Sequence, residues 1–143
     1  MRKIYENQSD RDNEQAVADL ISREKNLTLV KLHMKDRLDY VAFRGDEVRC
    51  FIEVRCRNVA STKYSDIMCN WHKTIFARQV MQTFNVPCYF FVQWTDRLGY
   101  IKFDEDCELN MGGRIDRGDQ QDIELCTYFE TSRFKTMGEQ NGV

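Results

Sequence analysis

The chain has 143 residues, 42% of them hydrophobic and 31% charged, with a net charge of −2. That length suits one domain with a proper core, and the balance is that of an ordinary globular protein whose overall charge singles out no nucleic-acid partner. No apolar run reaches a membrane span and the opening "MRKIYENQSD" lacks a signal peptide's apolar stretch, so a reducing, cytoplasmic setting without membrane contact is expected.

Ser9 or Asp10 is placed to cap a first helix running to about Glu24, with Val17, Leu20 and Ile21 as its inward stripe and Glu14 one turn before Val17. "LTLVKLHM" (27–34), "LDYVAF" (38–43) and "VRCFIEVRCR" (48–57) read as three strands, the last two joined tightly through Arg44-Gly45-Asp46. The third strand alternates: Val48, Cys50, Ile52, Val54 and Cys56 share one face, and Arg49, Phe51, Glu53, Arg55 and Arg57 the other. A helical pattern is predicted from about Tyr64 to Phe84, with Ile67, Met68, Trp71 and Ile75 opening its stripe and Asn85-Val86-Pro87 stopping it. "CYFFVQW" (88–94) is a strand of the kind buried on both faces, and "YIKF" returns after a turn. "GGRIDRGDQQ" reads as a loop, "IELCTYF" as a short strand, and the last ten or so residues as frayed. Helix, three strands, helix, strand, strand describes an α/β domain with a mixed central sheet.

The six cysteines do not imply disulfides, because Cys50, Cys56 and Cys88 lie in apolar strand-like runs where a free thiol acts as a small hydrophobe. Charge is unevenly spread. From Arg44 to Arg78 seven basic residues face four acids, a net +3, whereas from Asp104 to Glu124 eight acids face two arginines, a net −6. A basic centre of this kind is compatible with a local anion site, and equally with a solvated face.

Glu53 is the unusual residue, since interior-strand carboxylates need partners. Asp39 stands on the neighbouring strand of the same hairpin. Two carboxylates brought together repel and are costly to desolvate unless a cation sits between them: a divalent ion held by oxygens, or a salt-bridged arginine. The plain alternative is an Arg49–Glu53–Arg57 ladder along a solvated face. Cys69-x-x-His72 offers zinc ligands without a second paired motif. His33 or His72 beside a cysteine has no recognisable nucleophilic context. The aromatics Trp71, Trp94, Tyr89, Phe90 and Phe91 are core residues before they are a stacking platform.

An acid on the first helix, Asp39 on the second strand, Glu53-Val54-Arg55 on the third and a helix feeding a buried strand together resemble the PD-(D/E)xK nuclease superfamily, of the Holliday-junction resolvase and very-short-patch repair type. The resemblance covers roughly residues 10–103. It implies a restriction-endonuclease-like fold, an αβββαββ core whose mixed sheet is flanked by helices, in a single nuclease-like domain spanning 1–143 with 104–143 as an acidic extension. It implies Asp39 and Glu53 as Mg²⁺ ligands (with Mn²⁺ able to substitute), Val54 adding a backbone carbonyl and Glu14 assisting. Two departures stand out: Leu38 replaces the usual proline before the first acid, and Arg55 stands where lysine is expected. Arginine holds a phosphate but is a poor base. The family's catalytic lysine is known to migrate onto the following helix, which makes Lys73 a candidate, with Lys63 in the loop another. Gln93 resembles a glutamine that some members bring to the site.

The expectation is therefore a Mg²⁺-dependent DNA endonuclease with Asp39, Glu53, Arg55, Lys73 and Glu14 as its catalytic set. Arg49, Arg57, Lys63 and Arg78 would contact the DNA backbone, and a homodimer is compatible with so small a fold. The rival expectation is the same fold without catalysis, serving as a nucleic-acid-binding or assembly module.

Overall fold

The structure, a computed structural model, describes residues 8–33, 38–113 and 123–138. Helix α1 (Gln8–Lys25) leads into β1 (Thr28–Lys31), β2 (Tyr40–Arg44) and β3 (Glu47–Cys56). Then come β4 (Asp66–Asn70), helix α2 (Trp71–Phe84), β5 (Cys88–Gln93) and β6 (Leu98–Lys102). Strands β7 (Glu108–Gly113), β8 (Ile123–Glu130) and β9 (Lys135–Thr136) complete the order. The predicted caps Ser9 and Asp10 and most of the predicted 112–121 loop lie outside the described side chains and residues.

Six strands form one mixed sheet in the order β1-β2-β3-β5-β6-β9, and β4-β8-β7 form a second. The β2–β3 hairpin turns at Gly45, whose φ of 63° suits glycine. Strands β3 and β5 run parallel, with Glu53 opposite Phe90 and Arg55 opposite Val92. A parallel pair needs a crossover, and the segment through β4 and α2 supplies it.

The alternation read from β3 decides which layer covers which face. Cys50, Ile52 and Val54 pack beneath Val17, Ala18 and Ile21 of α1, together with Tyr40, Ala42, Phe91, Leu98 and Tyr100. On the other face Phe90, Val92, Ile101 and Phe103 meet Ala77 and Val80 of α2, Ile67 and Cys69 of β4, and Phe129 of β8. Phe90 is central there, with ring centroids 5.6 Å from Phe103, 6.0 Å from Phe129 and 5.9 Å from Phe134. Each fully buried phenylalanine contributes roughly 1.5–3 kcal/mol, and each edge or offset pair ~1 kcal/mol more.

Three expectations are corrected. The helix predicted from Tyr64 begins only at Trp71, because residues 66–70 form β4 with Ile67 and Cys69 inward and pair with β8. Ile67, Met68, Trp71 and Ile75 fit a helical stripe, but long-range pairing of Met68 with Tyr128 prevails. The tail is not frayed through residue 138: Phe134 is buried and β9 extends the main sheet. None of the six cysteines forms a disulfide, and Cys56 is exposed rather than buried because β3 ends there.

Candidate active site

Glu53 projects from the middle of the main sheet toward α2, and only 2% of its surface is exposed. Its Oε2 accepts from Lys73 Nζ at 2.6 Å, whereas Oε1 is buried with no hydrogen-bond partner among the described residues. Burial, reinforced by the charge of Asp39, pushes the Glu53 carboxyl up to about 7 against the pull of Lys73 and Arg55. Burial works against the Lys73 charge, yet Glu53 and Asp39 outweigh it and drive that ammonium above its ordinary value.

Asp39 sits at a bend just before β2, its backbone N–H donating to Ile52 and its carbonyl accepting from Leu32. Its Oδ2 accepts from the Val54 amide at 2.9 Å. Because a strand residue's N–H and C=O leave on the same edge, the Val54 carbonyl opens beside Asp39. On the other side Asp39 Oδ1 lies 3.6 Å from Lys31 Nζ, which also binds Glu14 at 2.8 Å and stands 5.0 Å from the Tyr40 ring centre. Burial raises the Glu14 carboxyl, with Asp39 adding to the effect and Lys31 opposing it.

Glu14, Asp39, Val54, Glu53 and Lys73 are thus brought into one continuous arrangement, with Asp39 linking the α1 side to the α2 side. Arg55 shares the Glu53 face. Its Nη1 donates to the Met68 carbonyl at 3.2 Å, and its guanidinium lies 5.9 Å from the Phe90 ring centre. Arg57 follows at the end of β3, half-buried, its backbone N–H donating to the Gln93 carbonyl. Lys63 is exposed in the loop before β4.

Other predicted residues lie elsewhere. Arg49 is on the far half of β3 and pairs with Glu47 at 3.5 Å, so no Arg49–Glu53–Arg57 ladder forms. Arg78 clamps the carbonyls of Phe103 and Glu105 at 2.8 and 2.9 Å, holding α2 to the segment after β6. Gln93 points away from Glu53. It alternates with Phe90 and Val92, lies on the α1 side, and donates to the carbonyls of Trp94 and Arg97. The zinc reading also fails: Cys69 is buried, with burial pushing its thiol up to about 12, while His72 is exposed. The second sheet and Lys31 are what sequence reasoning missed. Lys31 had only its strand position as a signal.

Among the described residues, no group of three His, Cys, Asp or Glu is arranged to hold a metal ion. The oxygen donors here are instead the unpartnered Glu53 Oε1, the Asp39 carboxylate and the Val54 carbonyl. This all-oxygen set suits a hard divalent cation that keeps several waters, and a buried oxygen lacking a partner is what such an ion would satisfy.

The family described as "Phage putative PDDEXK endonuclease" matches residues 1–137. Among solved structures, the Archaeoglobus fulgidus protein Hjc, a Holliday junction resolvase, is similar with a TM-score of 0.56 at 11% identity, covering 87% of this chain and 92% of that one. That likeness establishes the restriction-endonuclease-like fold. No curated protein matches.

Proposed function

We propose that this chain, which belongs to the phage PDDEXK endonuclease family, is a DNA endonuclease that hydrolyses phosphodiester bonds at Glu53, Asp39 and Lys73. The observation that carries this reading is Glu53: a buried carboxylate with one oxygen on an ammonium, the other unpartnered, and a second carboxylate bonded to the next residue's amide. A buried ion pair left half-satisfied in this way adds little to stability, and carboxyls perturbed by burial and a charged partner cluster at functional sites.

Asp39, Glu53 and the Val54 carbonyl would hold a divalent cation, Mg²⁺ with Mn²⁺ able to replace it. When bound, that ion supplies a water of lowered pKa and neutralises charge on the phosphodiester. Lys73, kept protonated by its carboxylate neighbours, acts as a donor that orients the attacking water or the phosphate oxygen, rather than as a base. Arg55 and Arg57 lie along the same strand face and position the DNA backbone, with Lys63 at the rim. Glu14 and Lys31 hold Asp39 in place. A cytoplasmic location and a homodimer belong to this reading as well.

The test is incubation with supercoiled, linear and branched DNA in Mg²⁺, Mn²⁺ or chelator. Cutting that needs the ion and vanishes in Asp39→Ala and Glu53→Ala supports the enzyme. The second reading, a nuclease-fold protein that binds without cutting, is favoured by Arg55 at the usual lysine position. Salt-sensitive binding with no cutting in either ion would establish it.

A further inference from the structure

Beyond the cutting site, the same strand face runs into a hollow of about 450 Å³ lined by Arg57, Tyr64, Ile67, Met68, Trp94 and Tyr128 among others. Its volume is that of a small-ligand pocket, and its floor is apolar: Ile67 and Trp94 are both buried there. Tyr64 is 61% exposed, an unusual state for so large a ring. Arg57 supplies the charge. Its guanidinium is half-buried and faces no carboxylate within ion-pair distance among the described residues. Burial, and then the like charge of Arg55, pulls its pKa below the ordinary value. Two arginines on one strand face, the second partly desolvated and without a counter-charge, are complementary to an anion. Asp66 on the rim offers an acceptor to an exocyclic amine.

Position fixes which anion-bearing ligand fits. Arg57 lies four residues beyond Glu53 along an extended segment, ~13 Å at ~3.3 Å per residue, with Arg55 between them. A strand whose scissile phosphate sits at Glu53 therefore carries its neighbouring nucleotides over this hollow. A paired base cannot enter it. By contrast, the larger hollow of about 670 Å³ around Arg133 is edged by Asp66, Asp106, Glu108 and Glu130, and would repel a phosphodiester.

We propose that the hollow beside Arg57 receives an unpaired nucleobase of the bound DNA strand, stacked on Tyr64 with its phosphate on Arg57. This rests on the nuclease reading and narrows its substrate to DNA with an unpaired segment next to the cut.

The test uses two oligonucleotide duplexes carrying the fluorescent base 2-aminopurine, one with it in a single-stranded overhang and one with it paired. Each is titrated with the full chain in Ca²⁺. The expected result is quenching on the overhang probe alone. Tyr64→Ala should abolish the quenching and weaken overhang binding about 5- to 150-fold, the span of one base–aromatic stack. Duplex binding should stay unchanged, and Tyr64→Phe should behave as the parent. Ala keeps the Tyr64 backbone carbonyl that accepts from Thr131, so the loop stays anchored. Binding of both probes without a fluorescence change, or equal weakening of both by Tyr64→Ala, overturns the pocket and leaves the nuclease reading intact. Failure of the overhang probe to bind at low salt overturns the pocket, and failure of both probes overturns the nuclease reading with it.

Discussion

Glu53→Gln should make the protein more stable at alkaline pH, relative to the parent, than at acid pH. The native carboxyl holds its proton until about pH 7 rather than the ordinary 4.5. Between those values the native state therefore binds about one more proton than the unfolded chain. Stability then falls as pH rises through the window, and is unaffected by this group below it. Integrated over that interval, the loss is about 3 kcal/mol. Glutamine has the shape of the protonated acid and does not titrate, so the variant escapes the fall. The Lys73 ammonium stays charged throughout and adds no slope. Urea unfolding at pH 4.5 and pH 8.5 in chelator measures the difference directly. The gap between variant and parent should move in the variant's favour by about 3 kcal/mol, although the variant should not cut DNA. A gap that stays constant, or moves toward the parent, would refute the assignment of Glu53 as a strained, desolvated acid.

Other consequences follow from the same geometry. A divalent ion at one hundred times its dissociation constant should stabilise the parent by about 2.7 kcal/mol, and Asp39→Asn should largely erase that gain in a thermal melt. Lys31→Met removes the ammonium that Asp39 and Glu14 share, so calorimetric titration should find the ion bound about two- to fivefold tighter, the value of a partly exposed pair. Lys73→Ala should slow single-turnover cutting by about 10²–10³-fold, and adding Arg55→Lys should not restore it, because the position-55 side chain is directed to the Met68 carbonyl rather than to Glu53. Gly99→Ala would put a Cβ 2.9 Å from the Trp94 ring and 3.2 Å from Phe134 Cβ; a loss of about 1–3 kcal/mol in urea unfolding is expected.

The elements legible in the sequence were those whose own periodicity carries the information. Alternation along β3 placed Glu53 and Arg55 on one face. The apolar run of β5 announced a strand covered on both sides, and the stripe of α1 its inward edge. What stayed hidden depends on partners far along the chain. Residues 66–70 look helical until β8 claims them, and β7 leaves Leu109 and Met111 exposed while turning the side-chain-less Gly112 inward, so its sequence shows no apolar face. The site follows the same division. Glu53 stood out as a lone acid in an apolar strand, and Lys73 was recoverable from its place at the edge of a helical stripe. Lys31 was not, since nothing in "LTLVKLHM" says that its ammonium stands between acids from α1 and from the approach to β2. Gln93 misled because residues 90 and 93 fall on opposite faces of one strand.

The start of α2 is held chiefly by residues some fifty positions downstream. Thr74 shares a 2.7 Å hydrogen bond with Thr127, Thr127 also donates to the Cys69 carbonyl, and Asn70 donates to Glu124 while its oxygen caps His72. Lys73 sits inside that knot, so its aim at Glu53 is set by strand β8. A fragment ending after β6 would retain every acid of the hydrolytic centre and still leave its ammonium without a fixed bearing. The closing third of the chain thus acts as a gunsight for the reaction, and insertions between β7 and β8 should be tolerated only while they leave that alignment untouched.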